Sequence, residues 1–179
     1  MVGPDGTIEL ALARLAEGSP GITEAEGRRL AEAGAVCLST SGHVDGALLN
    51  VNGSFTVACR LHWPEVHGQM LRSLSDMQEA TERGACGIAI HLITELTEYH
   101  TIERARKGTG IDYWLGRKDD TRWGLAARLE VSGILSGDEK AIQKRVKQKK
   151  GQTKRSDGPL PAYVVVEEFS TPTATVVKR

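Results

Sequence analysis

Residues 108–135, GTGIDYWLGRKDDTRWGLAARLEVSGIL, decide how this chain is read. The GTG triplet breaks whatever precedes it, and 111–116 then carries Ile111, Tyr113, Trp114 and Leu115 in a run short and apolar enough for a strand, with Asp112 near its start. A polar loop, RKDDTRWG, follows. In 127–135 strict alternation sets Ala127, Leu129, Val131 and Leu135 on one face and Arg128, Glu130 and Ser132 on the other. Two neighbouring strands therefore each bring a carboxylate, Asp112 and Glu130, to the side away from the main apolar packing.

Upstream, Ser73 or Ser75 can cap a helix that runs to about Lys107, with Gly84 and Gly87 as its soft spots. At about 100° per residue, Ala85, Ile88, Ala89, Leu92, Leu96 and Tyr99 share one face of that helix. The same construction puts Glu103 at the centre of that face, Glu98 on the solvent side and Glu95 near the edge. Downstream, Gly137-Asp138 opens a basic helix that ends near Gly151, and GQTKRSDGPLP (151–161) reads as a mobile linker. Tyr163-Val164-Val165-Val166 has the β-branched content of a central strand, with 174–177 as its neighbour.

The N-terminal portion reads differently. Residues 7–17 and 23–33 have helical spacing, the second behind a Thr23-x-x-Glu26 capping box. From 35 to 63, brief apolar runs separated by SGHVDG and NGS predict a three-stranded antiparallel meander. The expected fold is α+β: a mixed β-sheet flanked by helices, with an N-terminal helical and β-meander extension. One domain spans 1–179, divided into 1–72 and an α/β core over 73–179.

With 40% hydrophobic and 26% charged residues the composition is that of an ordinary globular domain. No apolar run approaches the roughly 18 residues that a membrane span needs. The first residues carry acids where a signal peptide has its basic start, so the expectation is a cytoplasmic protein. Cys37, Cys59 and Cys86 are odd in number and lack CxxC spacing, which favours buried thiols over zinc ligands, and the five histidines form no HxH or HExxH pattern.

Net charge is formally zero, so the whole molecule has no nucleic-acid footprint, but eight of the 23 basic residues fall within 140–155, a stretch without an acid. Lys140, Lys144, Lys147 and Lys150 recur at helical spacing there. Together with Arg145 they are the candidate contacts to phosphates, which give affinity without sequence information. A solvated helix face is the plainer alternative.

Asp112 and Glu130 are hard oxygen donors of the kind that bind Mg2+ or Mn2+, and Glu103 would join them from the helix end. Such an ion can activate water and offset charge on an attacked phosphodiester. The order helix, GTG, strand with Asp112, strand with Glu130-x-Ser132, basic helix and apolar strand resembles the restriction-endonuclease-like, or PD-(D/E)XK, superfamily over roughly residues 75–169. ERARKGTGIDYWLG and ARLEVSGIL also look like stretches of small bacterial proteins.

The resemblance implies Asp112 as the metal-binding Asp and Glu130 as the Glu of the Glu-x-Lys, eighteen residues later. Ser132 stands where that motif has its catalytic lysine. A lysine from elsewhere, Lys118 in the loop or Lys149 in the basic helix, could take its place. Two other readings stand beside this one. Asp112 could satisfy backbone amides in a turn, and Glu130 could form a surface ion pair with Arg128, Arg117 or Arg122.

The function expected is a divalent-metal-dependent nuclease or a degenerate relative, with Asp112, Glu130 and Ser132 in the catalytic positions. The alternative is a non-enzymatic binding subunit of a larger protein or protein–nucleic acid assembly. The neutral overall charge makes a homo-oligomer or larger assembly the expected working form. A metal site of this kind requires the carboxylates of Glu103, Asp112 and Glu130 to converge on one point.

Overall fold

The computed structural model describes residues 6–179. Strand β1 (Ile8–Ala11) runs into a 3-10 turn (Leu12–Glu17), helix α1 (Glu24–Thr40), and the hairpin β2 (Ala47–Gly53) and β3 (Val57–His62). Two helices follow, the short α2 (Gly68–Ser73) and the long α3 (Met77–Leu96). Then come β4 (Tyr99–Arg104), β5 (Tyr113–Arg117), β6 (Ala127–Ile134), α4 (Glu139–Gln152), β7 (Ala162–Glu168) and β8 (Thr173–Lys178). The eight strands make one mixed sheet in the order β1-β3-β2-β8-β7-β6-β5-β4. Pairing is parallel for β1/β3, β2/β8 and β6/β7 and antiparallel elsewhere. The α+β architecture is that expected.

Each face of the sheet needs its own cover. Helices α1 and α3 lie over one face, where Leu30, Leu38, Ile88 and Leu92 close the main core against Leu49, Leu61, Leu129 and Val165. Helix α4 is the crossover between the parallel strands β6 and β7, and sets Ile142 and Val146 on Val164 and Val166 of the opposite face. Strand β7 is covered on both sides and every residue of it is buried, which is why its sequence reads as a continuous apolar run before ending in two acids. Among the described residues no helix is long and apolar enough to cross a membrane.

Several elements differ from the sequence expectation. Residues 8–11 are an edge strand and only 12–17 are helical, as a 3-10 turn, because β1 finds a parallel partner in β3 that local spacing does not reveal. Helix α1 continues through 35–40, so the expected three-stranded meander is a two-stranded hairpin. The long helix ends at Leu96, and Asp76, whose carboxylate accepts the Gln78 and Glu79 amides, caps its start in place of Ser73 or Ser75. Thr97 is extended, and the chain enters β4 at Tyr99, which removes Glu103 from any helix. The expected linker 151–161 is tied down: the Arg128 guanidinium, 3% exposed, donates to the carbonyls of Ser156 and Leu160, and Arg179 pairs with Asp157 at 2.6 Å.

Two adjacent acids at the end of β7 have opposite surroundings. Glu168 accepts hydrogen bonds from the amides of Gly137, Ser170 and Thr171 and so fixes the turns on either side of it. Glu167 is wholly buried, and among the described residues neither of its carboxyl oxygens has a partner. Burial, and then the charge of Glu168, hold its pKa well above the ordinary carboxylate value. An acid whose pKa is raised on folding contributes no penalty below its unfolded value, and stability is lost as pH rises from there toward the folded value. Glu167→Gln is therefore expected to raise the melting temperature at pH 7–8, by about 2–4 °C for each kcal/mol of relieved penalty. The gain should shrink toward pH 4. Thermal unfolding of both proteins across pH checks this, and a gain that does not depend on pH counts against a buried protonated Glu167.

Candidate functional site

The site forms where a strand leaves the sheet. β5 pairs with β6 only from Leu115↔Ala127 to Tyr113↔Leu129, so from Glu130 onward β6 is paired on one side only, with β7. At that point the chain bends, and Asp112 replaces the missing strand. Its amide donates to the Leu129 carbonyl at 2.8 Å, and its Oδ2 accepts the Val131 amide at 2.9 Å. The bend depends on Gly110, which has φ +75° and whose Cβ, if it had one, would stand 2.1 Å from the Gln152 carbonyl oxygen. That close approach brings the GTG loop against the end of α4. On the other side, a Cβ on Gly133 would lie 2.5 Å from the Thr81 carbonyl oxygen, so its absence lets α3 sit directly on β6.

The gap is a cleft of about 970 Å³ between the α1/α3 layer and α4, with Asp112, Val131 and Ser132 among its lining residues. Glu130 lies beside Asp112 and only 5% of its side chain is exposed. Its pKa is pushed up to about 7, by burial first and then by the charge of Asp112. Lys149 of α4 opposes that shift, with Nζ donating to Glu130 Oε1 at 2.6 Å. One turn earlier on the same helix, Arg145 Nη1 donates to Ser132 Oγ at 2.6 Å. Two carboxylates and two cations thus meet where β6 is uncovered.

The wall beyond Asp112 is built from β4, β5 and α3. Arg104 stacks over the Tyr113 ring at 4.5 Å, donates to the Tyr113 hydroxyl at 2.5 Å, and reaches Asp112 Oδ1 at 3.6 Å. Beneath it is Cys86, its thiol pushed up to about 12 by burial and by the charge of Asp112, which makes it an inert neighbour rather than a nucleophile.

The expected site residues therefore separate. Asp112 and Glu130 come together, Ser132 lies beside them, and Arg145 turns inward to it. Asp112 does satisfy a backbone amide, as its plainer reading held, yet it also faces the cleft. Glu130 is not part of a surface pair: Arg117 is bound to Glu98, Arg122 to Asp120, and Arg128 to the 153–160 segment.

Glu103 does not join them. A bulge between Thr101 and Glu103 shifts the phase of β4, so that Arg104 and Tyr113 form one cross-strand pair and Glu103 is set opposite Trp114. Glu103 is exposed and outside the cleft lining. Lys118 is also committed elsewhere, donating to the Thr94 and Thr97 carbonyls at the end of α3. Lys140, Lys144, Lys147 and Lys150 are exposed along α4, and none forms an ion pair among the described residues.

Arg104, Glu26 and Glu82 are cleft residues that sequence reasoning passed over. Only tertiary contact brings α1 and the bulged end of β4 to Asp112, and no local pattern signals it. Among the described residues no group of three or more His, Cys, Asp or Glu is gathered as a metal cage. The juxtaposition of the two carboxylates has a direct check. Asp112→Asn should bring the Glu130 pKa down from about 7 toward the ordinary range, stopping short of it because burial remains. Carboxyl carbon NMR titration reads the change, and an unmoved Glu130 would mean that the two groups do not interact. Comparison with family models, with curated proteins and with solved structures found no match to this chain.

Proposed function

We propose that this chain hydrolyses phosphodiester bonds in nucleic acid with a divalent cation, Mg2+ or Mn2+, held by Asp112 and Glu130, and with Lys149 in the role that Ser132 cannot fill. The observation that carries this reading is the contact of Lys149 Nζ with Glu130 Oε1 at 2.6 Å, in a cleft where Asp112 is the next carboxylate. Two carboxylates are enough for such an ion, since Mg2+ commonly keeps several waters and shares phosphate oxygens of the substrate. The donor set also fits: two acids forced together away from water favour a cation between them.

When bound, the ion supplies charge against the phosphate oxygens and acidifies water. The rest is done by the chain. Lys149 reaches the site from α4, and its ammonium is placed to orient the attacking water and hold negative charge as it develops on the phosphate. A P–O bond forms to that water while the bond to the leaving sugar oxygen breaks, and the proton released by water ends on solvent or on the leaving oxygen. Arg145, anchored on Ser132, adds a second positive group one turn away. The exposed Lys140, Lys144, Lys147 and Lys150 lie on the solvent side of the same helix, outside the cleft lining, and would engage phosphates beyond the site.

Cleavage of supercoiled DNA, single-stranded DNA and RNA with added Mn2+ tests the proposal. Asp112→Ala, Glu130→Ala and Lys149→Ala should each lower the rate by about 100-fold or more, as loss of one preorganised electrostatic group typically does. Lys118→Ala should leave it unchanged. Equal rates in all variants would assign the cleavage to a contaminant.

The exposed lysine stripe supports a second reading, a non-enzymatic subunit that binds nucleic acid or an acidic partner in a larger or homo-oligomeric assembly. Charge reversal at Lys144 and Lys147 would then abolish association, while Asp112→Ala leaves it intact.

A further inference from the structure

The cleft has two unlike walls. From α4 come Arg145, Gln148 and Lys149, and from α1 and α3 come Glu26, Glu79 and Glu82. Arg83 pairs with Glu26 at 3.6 Å and with Glu79 at 2.8 Å, and Arg29 with Glu79 at 3.1 Å, so the net negative charge of this wall rests on Glu82, which forms no ion pair among the described residues. The acidic wall is fixed in place. The Gly21 amide and the Ser19 hydroxyl both donate to the Thr101 carbonyl, fastening the turn before α1 to β4, and Thr23 caps the helix itself. Asp112 lies at the floor with 25% of its side chain exposed, and Glu130 is buried beside it at 5%, whereas Glu26 and Glu79 at the rim are 40% and 47% exposed.

A duplex carries one phosphate charge per about 1.7 Å of axis, distributed over two strands. Bringing one strand to the floor along α4 would press the other against Glu26 and Glu82. A single strand has no such conflict, because its phosphates can follow the basic wall while its bases turn the other way. The cleft also holds a surface for a base. Arg104 is stacked on Tyr113 and bonded to its hydroxyl, so its guanidinium plane is fixed, yet 59% of its side chain is exposed. Unstacked bases are commonly received on such planes.

We infer that the cleft takes single-stranded nucleic acid, with the phosphates along α4 and a base laid on Arg104, and that the acidic wall of α1 and α3 turns duplex away. The choice of nucleic acid as ligand rests on the phosphodiesterase reading above.

The test is fluorescence anisotropy of the full chain in EDTA, where cation-dependent cleavage is absent. The probes are a labelled single strand of about 15 nucleotides, as DNA and as RNA, and the blunt duplex of each. The single strand should bind at least about tenfold more tightly than its duplex. Arg104→Ala should cost the single strand about tenfold and leave the duplex little changed, and Arg104→Lys, which keeps the charge and loses the plane, should not restore it. Glu26→Gln with Glu82→Gln should strengthen duplex binding.

Equal or tighter binding of duplex overturns the inference, as does absence of binding to every probe or full rescue by Arg104→Lys. A preference for DNA or for RNA supports it when the duplex of that sugar binds worse. Selective single-strand binding without cation-dependent cleavage sinks the phosphodiesterase reading and leaves this one standing. Cleavage of duplex and single strand alike does the reverse.

Discussion

The Asp112 carboxylate bonded to the Val131 amide is the contact on which the site depends. A sheet edge left open inside a protein exposes unpaired amides, and these must be satisfied or hydrated. Here the chain is turned away from β6 until β5 begins at Tyr113, and one oxygen of Asp112 takes the hydrogen bond that a further strand residue would have accepted. This substitution has two results. It opens a cleft beside β6 without leaving a bare backbone, and it fixes a carboxylate at the head of that cleft. Gly110 and Gly133 serve the same arrangement, one by letting the loop close on α4 and the other by letting α3 rest on β6.

Once Asp112 is fixed, the electrostatics of Glu130 follow. Strand alternation places Glu130 on the α4 face, close to Asp112 and away from water, where two negative charges oppose each other. Lys149 relieves only part of that opposition, since the Glu130 pKa stays near 7. Glu167, on the other face of the sheet, provides the contrast. It is buried more completely, its carboxyl oxygens have no hydrogen-bond partner among the described residues, and burial with the neighbouring charge of Glu168 holds its pKa well above the ordinary carboxylate value. Burial raises both acids, but Glu130 has a cationic side chain and an opening within reach. That difference separates an acid placed for chemistry from one that is merely enclosed.

Much of this was legible in the sequence because it depends on short-range periodicity. The alternation over 127–135 put Glu130 and Ser132 on one face, Gly137-Asp138 marked the start of α4, and the β-branched run at 163–166 marked a central strand. Lys149 could be named as a substitute lysine because an unbroken basic helix returns across the strand it follows. Glu103 could not be placed correctly. The helical pattern from Ala85 to Leu96 has no Gly or Pro at its end, and the stop lies in Thr97 turning to extended backbone. The bulge in β4 then reverses which side chains face inward, and a reversal by one residue leaves no trace in composition.

The N-terminal elements show the same limit at larger scale. From sequence, residues before about 72 offer packing and little else. In the fold they do more than extend the sheet through β1, β3 and β2. The capped start of α1 and the turn fastened to Thr101 form the far wall of the cleft, opposite α4. A cleft bounded by α4 alone would be an open groove, indifferent to the width of what lies in it. With α1 in place the opening has a second side, and that side is acidic. Selectivity at such a site would then be set less by the residues that touch the reacting phosphate than by an element about 90 residues earlier in the chain, through the ordinary cost of bringing like charges together.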